Sequence, residues 1–180
     1  MKAIIAATPP SAIAETSAAA CRAVCELEEF LSAGTVMLYL PLPTELDPSA
    51  IVLAAWQAGK IVLVPKVDWH HRRIIPTRCD SLTDNLAPGR YGILEPITGT
   101  AWPVEKIDFI LTPGMAYDRN GNRLGRGAGL YDRFLGDELR KAVACGAAIA
   151  CQVVESVPVG NGDFPVDMLV TDREVIRFPR

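Results

Sequence analysis

The sequence has little that would suit a membrane-spanning, secreted or nucleic-acid-binding protein. No apolar run approaches the ~20 residues needed to cross a bilayer. The first apolar run, Ala3–Ala7, is short, follows one lysine and soon meets Pro9-Pro10. It does not make a convincing export signal, so a cytoplasmic protein is expected. The five cysteines are odd in number, irregularly spaced and include no CxxC, which argues against a disulfide framework or a zinc site. Cys21 and Cys25 would share a helix face, but no further ligand cluster accompanies them, and they read as free thiols. Eighteen basic residues against 21 acidic ones leave a net charge of -3. That balance gives no reason to expect a nucleic-acid or membrane partner. Basic residues cluster locally, as in His70-His71-Arg72-Arg73, which reads as a solvated loop with a dedicated anion site as the less favoured alternative. Repeats, low-complexity tracts and a long linker are all missing, so residues 1–180 are expected to form a single domain.

What is present is an alternation of helical and extended patterns. Hydrophobic residues make up 49% of the chain, enough to build a core. After Pro9-Pro10, Ser11 can cap a helix whose apolar stripe is Ile13, Ala20, Val24, Leu27 and Leu31, with Gly34 as its stop. Thr35–Leu40 is a continuous run suited to a buried strand. Asp47-Pro48 then opens a helix through Trp56 that ends at Gly59. Lys60–Val67 is a second buried strand. Trp69–Pro76 suits a hairpin arm or edge strand, 80–91 a loop, and Asp108–Thr112 a third strand ending at Pro113-Gly114. Asp118–Asn122 is a tight turn. A helix from Leu130 is expected to carry Tyr131, Phe134, Leu135, Leu139 and Val143 on one face and to end at Gly146. Strands at 147–153, 166–170 and 174–178 complete an α/β layered domain with a mainly parallel sheet.

The chemistry is concentrated in Arg123-Leu124-Gly125-Arg126-Gly127-Ala128-Gly129-Leu130-Tyr131-Asp132-Arg133. Alternating glycines just before a helix allow positive φ angles and close approach of a ligand to backbone N–H groups. Arg123 and Arg126 are candidate phosphate donors, and Asp132 is a candidate magnesium ligand. The spacing is neither a Walker A loop nor GxGxxG. A purely structural turn would use the same residues, so the glycines alone leave both readings open.

The full string resembles the signature of the 5-formyltetrahydrofolate cyclo-ligase family, R-L-G-x-G-x-G-Y-Y-D-R. It matches at Arg123, Leu124, Gly125, Gly127, Gly129, Tyr131, Asp132 and Arg133. Leu130 stands where the family prefers Tyr, and Ala128 at a position that varies. Further matches are Pro65-Lys66-Val67, Tyr91–Pro96, Pro113–Asp118, Gln152, Pro158 and Asp163–Asp167, so the likeness spans about residues 35–178.

The resemblance implies an open, mainly parallel α/β sheet with helices on both faces, a Rossmann-like three-layer arrangement. It implies conversion of 5-formyltetrahydrofolate to 5,10-methenyltetrahydrofolate with ATP cleaved to ADP and phosphate in the presence of Mg²⁺. In that scheme the formyl oxygen attacks the γ-phosphorus, and N10 then closes the ring. Arg123, Leu124, Gly125, Arg126, Gly127, Ala128, Gly129, Leu130 and Tyr131 would contact ATP. Leu40, Glu45, Arg126 and Leu130 would face the folate, and Asp132 and Asp163 would hold the metal. Arg126, Tyr131 and Asp132 are the expected catalytic groups. The partners are therefore a folate and ATP. Two departures from the pattern stand out. The family's early K-x-x-x-R helix has no counterpart, with only Lys2 and Arg22 basic there, and Gly162 replaces a common His. They motivate a second reading, a folate- or nucleotide-binding regulatory paralogue without turnover. A kinase-like activity on another small molecule is a third.

Overall fold

The computed structural model describes residues 9–43 and 45–179. The expected N-terminal run Ala3–Ala7 lies outside them. Two helices come first, α1 (Pro10–Cys25) and α2 (Glu28–Ser32). Strand β1 (Thr35–Met37), helix α3 (Ser49–Gln57) and strand β2 (Ile61–Asp68) follow, then β3 (Arg73–Arg78). A small hairpin pairs β4 (Leu86–Pro88) with β5 (Leu94–Pro96). The chain continues through β6 (Phe109–Thr112), β7 (Ala116–Asp118), β8 (Arg123–Leu124) and α4 (Leu130–Leu135). It ends with β9 (Val143–Ala147), β10 (Val153–Val154), β11 (Met168–Val170) and β12 (Val175–Arg177).

Seven strands form the central sheet in the order β12-β11-β9-β6-β1-β2-β3. The five inner strands run parallel, and only β12 and β3 at the edges are antiparallel. Buried strands alternate their side chains between two apolar layers, as a period of two demands. Val36, Val62, Phe109 and Leu111 face the layer built with Ala20, Val24, Phe30 and Ile51 from α1–α3. Met37, Leu63, Ile110 and Ala144 face Phe134 and Leu135 of α4. Both faces are therefore covered, as expected for a mainly parallel sheet.

Three local expectations are corrected. The first helical stripe is broken at Leu27, whose extended backbone (φ -66°, ψ 135°) separates α1 from α2, and Leu31 points to solvent at 61% exposure. Its N-cap is Pro9 without any side-chain cap, so Ser11 does not fill that role. The helix from Leu130 stops at Leu135, and Val143 begins a strand instead. Arg140 explains the stop: its Nε donates to the Leu135 carbonyl at 2.7 Å and its Nη1 to the Ala142 carbonyl at 2.7 Å, satisfying the helix end and turning the chain into β9.

The topology positions the site. From β1 the chain moves outward to β2 and β3, then returns to the opposite side of β1 at β6 and continues to β9 and β11. The connections leaving the carboxyl ends of β1 and β6 diverge, and such a switch point opens a crevice.

Candidate functional site

The loop after β1 makes one wall. The Tyr39 hydroxyl is buried and donates to the Leu46 carbonyl at 2.7 Å, tying the two ends of the loop together. Burial holds the Tyr39 pKa well above the usual tyrosine range, so this donor stays protonated. Glu45 turns back into the loop: its Oε2 accepts from the Leu42 N–H at 3.0 Å. Leu40 is 7% exposed and belongs to the floor. Between this loop and α1 lies a cavity of about 450 Å³ whose lining includes Ile13, Ser17, Leu42, Pro43 and Glu45.

The opposite wall is delivered by the β7–β8 hairpin. Asp118 organises its turn, accepting from Asn120 N–H (2.9 Å), Asn122 N–H (3.0 Å), Asn122 Nδ2 (2.9 Å) and Val157 N–H (3.1 Å). Burial raises the Asp118 pKa, but those hydrogen bonds outweigh it and leave it lowered, so the carboxylate is ionised. Gly121 at the tip has φ +85°, and a Cβ there would meet the Val166 carbonyl oxygen at 2.8 Å; no other residue fits. Gln152 braces the turn before the hairpin through Gly114 and Met115 carbonyls at 3.1 and 3.2 Å.

The glycine turn follows β8. Gly127 (φ +90°) and Gly129 (φ +62°) occupy the left-handed region, which bends residues 125–129 into an open loop. Gly125 has ordinary φ, so only two of the three glycines are conformationally required. Leu124 and Arg126 are exposed, while Ala128 and Leu130 are partly covered. Arg126 reaches back 81 residues: its Nε and Nη2 both lie 3.0 Å from Glu45 Oε1. The structure thus joins two of the expected folate contacts in one ion pair across the crevice. Glu45 is 13% exposed and Arg126 45%, so the arginine is the accessible partner.

Arg123 differs from its expected posture. Its guanidinium faces inward, 3% exposed, with Nη2 2.6 Å from Asp132 Oδ1 and the charge 5.7 Å from the Tyr131 ring centroid. Asp132 sits in the first turn of α4 and is 20% exposed. Arg123 Nε and Tyr131 Oη are both buried without a hydrogen-bond partner among the described residues. Burial raises the Tyr131 pKa, a trend the neighbouring Arg123 partly offsets, so its hydroxyl remains a donor. Two orphaned donors side by side are costly unless a ligand oxygen satisfies them.

Asp163 lies on a loop whose neighbour comes close to Asp132: the Phe164 N–H is 3.5 Å from Asp132 Oδ1. Asp163 Oδ2 accepts from Gly160 N–H at 2.8 Å, and Asp163 lines one narrow cleft with Arg123. Among the described residues no group of three or more His, Cys, Asp or Glu side chains is arranged to hold a metal. One or two carboxylates with an oxygen-rich ligand nevertheless suit magnesium, which keeps waters and takes phosphate oxygens. The residues therefore fit a metal carried with a phosphate ligand rather than an all-protein cage.

Sequence reasoning missed Tyr39 and underread Arg133. A tyrosine in an apolar run looks like core, and only the Leu46 contact reveals its role. Arg133 Nη2 donates to the Ala128 carbonyl at 2.7 Å and its Nε to the Arg72 carbonyl at 2.9 Å, fixing the glycine turn to the β2–β3 tip. No helix among the described residues is long and apolar enough to cross a membrane.

Comparison with known proteins identifies the family and the fold. The family model described as the 5-formyltetrahydrofolate cyclo-ligase family matches residues 1–172. The 5-formyltetrahydrofolate cyclo-ligase of Escherichia coli K12 is 33% identical over 146 residues, covering 79% of this chain and 80% of that protein. The Haemophilus influenzae protein of the same name is 30% identical over 148 residues, covering 80% and 79%. The NMR structure of Aquifex aeolicus 5,10-methenyltetrahydrofolate synthetase superposes with a TM-score of 0.82 at 34% identity, covering 96% of this chain and 86% of that one. A 5,10-methenyltetrahydrofolate synthetase from Mycoplasma pneumoniae shares the fold at TM-score 0.75 and 19% identity, covering 93% and 91%.

Proposed function

Because the chain belongs to the 5-formyltetrahydrofolate cyclo-ligase family, we propose that it converts 5-formyltetrahydrofolate to 5,10-methenyltetrahydrofolate, using Mg-ATP and releasing ADP and phosphate. Residues 1–180 would act as one domain in the cytoplasm. The observation that carries the reading is the Glu45–Arg126 pair, which joins the glycine turn to the loop after β1 at one crevice, with two orphaned donors, Arg123 Nε and Tyr131 Oη, buried behind the turn.

The division of labour follows from chemistry. Phosphoryl transfer needs positioning and charge neutralisation more than covalent help from the protein. The open turn at 125–129 offers N–H groups to phosphate oxygens, with Gly127 and Gly129 supplying its shape. Helix α4 has only six residues, so its dipole contributes little and the turn itself carries the binding. Arg123 Nε and Tyr131 Oη are buried donors without a partner among the described residues, and on this reading an oxygen of the bound ligand would satisfy them once the turn shifts to admit it. Arg126 is exposed enough to release Glu45 and follow negative charge as it develops. Glu45, held by the Leu42 N–H, would then accept from ring N–H groups of the folate, whose rings suit the 450 Å³ cavity beside it. Asp132, through the oxygen not used by Arg123, and Asp163 would hold magnesium. When bound, that ion supplies neutralisation of phosphate charge.

The test is direct. Purified protein mixed with Mg-ATP and 5-formyltetrahydrofolate should develop the methenyl absorbance. Binding of both substrates without that absorbance would favour the regulatory reading instead.

A further inference from the structure

The tip joining β2 to β3 holds four basic residues in a row, and the structure separates their roles. Asp68 folds the tip: its Oδ1 accepts from the His70 and His71 N–H groups at 3.1 Å each, and its Oδ2 lies 2.7 Å from His71 Nδ1 and 3.3 Å from Arg73 Nε. His71 and Arg73 are therefore engaged with a carboxylate. Arg72 is not. Its guanidinium turns to the neighbouring glycine turn instead, where its Nη2 reaches the Ala128 carbonyl at 3.3 Å.

Three features make that contact unusual. First, Arg72 has φ +52°, a left-handed conformation that a residue with a Cβ adopts at a cost. Its backbone is kept there by Arg133, whose Nε holds the Arg72 carbonyl at 2.9 Å. Second, Arg133 already satisfies the same Ala128 carbonyl with a better bond at 2.7 Å. Arg72 takes the carbonyl's second lone pair with a longer and weaker bond. Third, two guanidinium groups thus converge on one neutral oxygen, and among the described residues neither is paired with a carboxylate. Like charges gathered without a counterion at a glycine turn are relieved by an anion.

We propose that Arg72 is a phosphate ligand of the bound nucleoside triphosphate, contributed by the β2–β3 tip and swung from the Ala128 carbonyl onto the terminal phosphates. Arg133 is the positioning residue that holds the tip against the turn. The assignment rests on the nucleotide reading of the glycine turn, and it places a cation at the far end of that turn from Arg126. A guanidinium with only a weak neutral partner can make this move at little cost. The left-handed backbone at Arg72 accompanies a side chain that lies against the turn while remaining exposed to solvent and to an incoming anion.

The experiment measures ATP, AMP and adenosine affinities by calorimetry on the folate-free protein, for wild type and for Arg72→Ala, Arg72→Gly, Arg72→Lys and Arg73→Ala. Arg72→Ala and Arg72→Gly should weaken ATP about ten- to a hundredfold, the size of one or two hydrogen bonds to a charged group. Adenosine affinity should be unchanged, and Arg72→Lys should recover part of the loss. Arg73→Ala should match wild type. The glycine variant removes the backbone strain, so equal losses in Ala and Gly assign the effect to the missing side chain rather than to a misfolded tip. Undiminished ATP affinity in both variants would overturn the inference while leaving the glycine turn as the nucleotide site. Equal losses for ATP and adenosine would also overturn it, by showing that Arg72 only shapes the tip. A wild-type protein that binds no ATP would remove the nucleotide reading and this inference together.

Discussion

Replacing Asp132 separates two jobs that the sequence motif merges. As an expected metal ligand, Asp132 matters to catalysis alone. In the structure it is also the counter-charge of Arg123, whose side chain is 3% exposed and lies 2.6 Å away. Removing one partner of a buried ion pair costs about 3–5 kcal/mol, because the remaining charge stays desolvated. Asp132 is 20% exposed, so water can partly compensate and about 2–4 kcal/mol is the expected cost of Asp132→Ala. For a chain of this length each kcal/mol lowers the melting temperature by roughly 2–4 °C, giving a loss of about 4–16 °C. Asp132→Asn keeps an acceptor for Arg123 and loses only the charge, so it should melt about 2–6 °C below wild type. Both variants should lose Mg-dependent turnover. Calorimetric melting of the two, beside the double variant Arg123→Met/Asp132→Ala, checks the argument. The double variant should melt above Asp132→Ala, since no buried charge is left unpaired. If Asp132→Ala melts with wild type, or the double variant is the least stable, the pair is not the buried constraint inferred here.

Other consequences follow from the same geometry. Gly127 has open space around its Cα but φ +90°, so Gly127→Ala should cost about 1–2 kcal/mol from backbone strain and reshape the turn. ATP affinity by calorimetry should fall with it, and unchanged affinity would show that the turn does not cradle phosphate. Glu45→Gln should raise the folate KM about tenfold while leaving the ATP dissociation constant alone; the opposite pattern would move Glu45 to the nucleotide. Burial raises the pKa values of Tyr39, Tyr117, Tyr131, Cys21 and Cys145, with Cys21 pushed up to about 12. The folded protein holds these protons where the unfolded chain releases them, so stability is full below about pH 8.5 and falls as pH rises through about 9–11. Melting temperatures that stay level from pH 8 to 11 would contradict this.

The buried strands were readable because both-face burial leaves continuous apolar runs. Thr35–Leu40 and Asp108–Thr112 each contain the observed strand, and Lys60–Val67 covers all of Ile61–Asp68 but its last residue. Helix ends were not, because apolar spacing continues past the physical stop. Leu139 and Val143 extend the α4 stripe, yet the Arg140 contacts end the helix and start β9. Gly136, just after α4, leaves room for a neighbour: a Cβ there would meet the Phe164 ring at 2.4 Å and push that half-exposed side chain aside. The same division holds at the site. The glycine turn is local and its left-handed positions could be anticipated. The Glu45–Arg126 pair spans 81 residues, and the inward turn of Arg123 depends on a partner nine residues away on another element. The whole basic tip is exposed, as expected of a solvated loop, but Asp68 holds His71 and Arg73 while Arg72 turns to the Ala128 carbonyl, and nothing in four consecutive basic residues distinguishes them.

The central claim is that this crevice closes the folate ring at the expense of ATP. Its most direct measurement is the simultaneous yield of methenyl product and ADP from purified protein, Mg-ATP and limiting 5-formyltetrahydrofolate. The account predicts one ADP per methenyl group formed, with neither product when ATP is omitted. ADP release that is independent of the folate, or folate binding with no methenyl product, would contradict it.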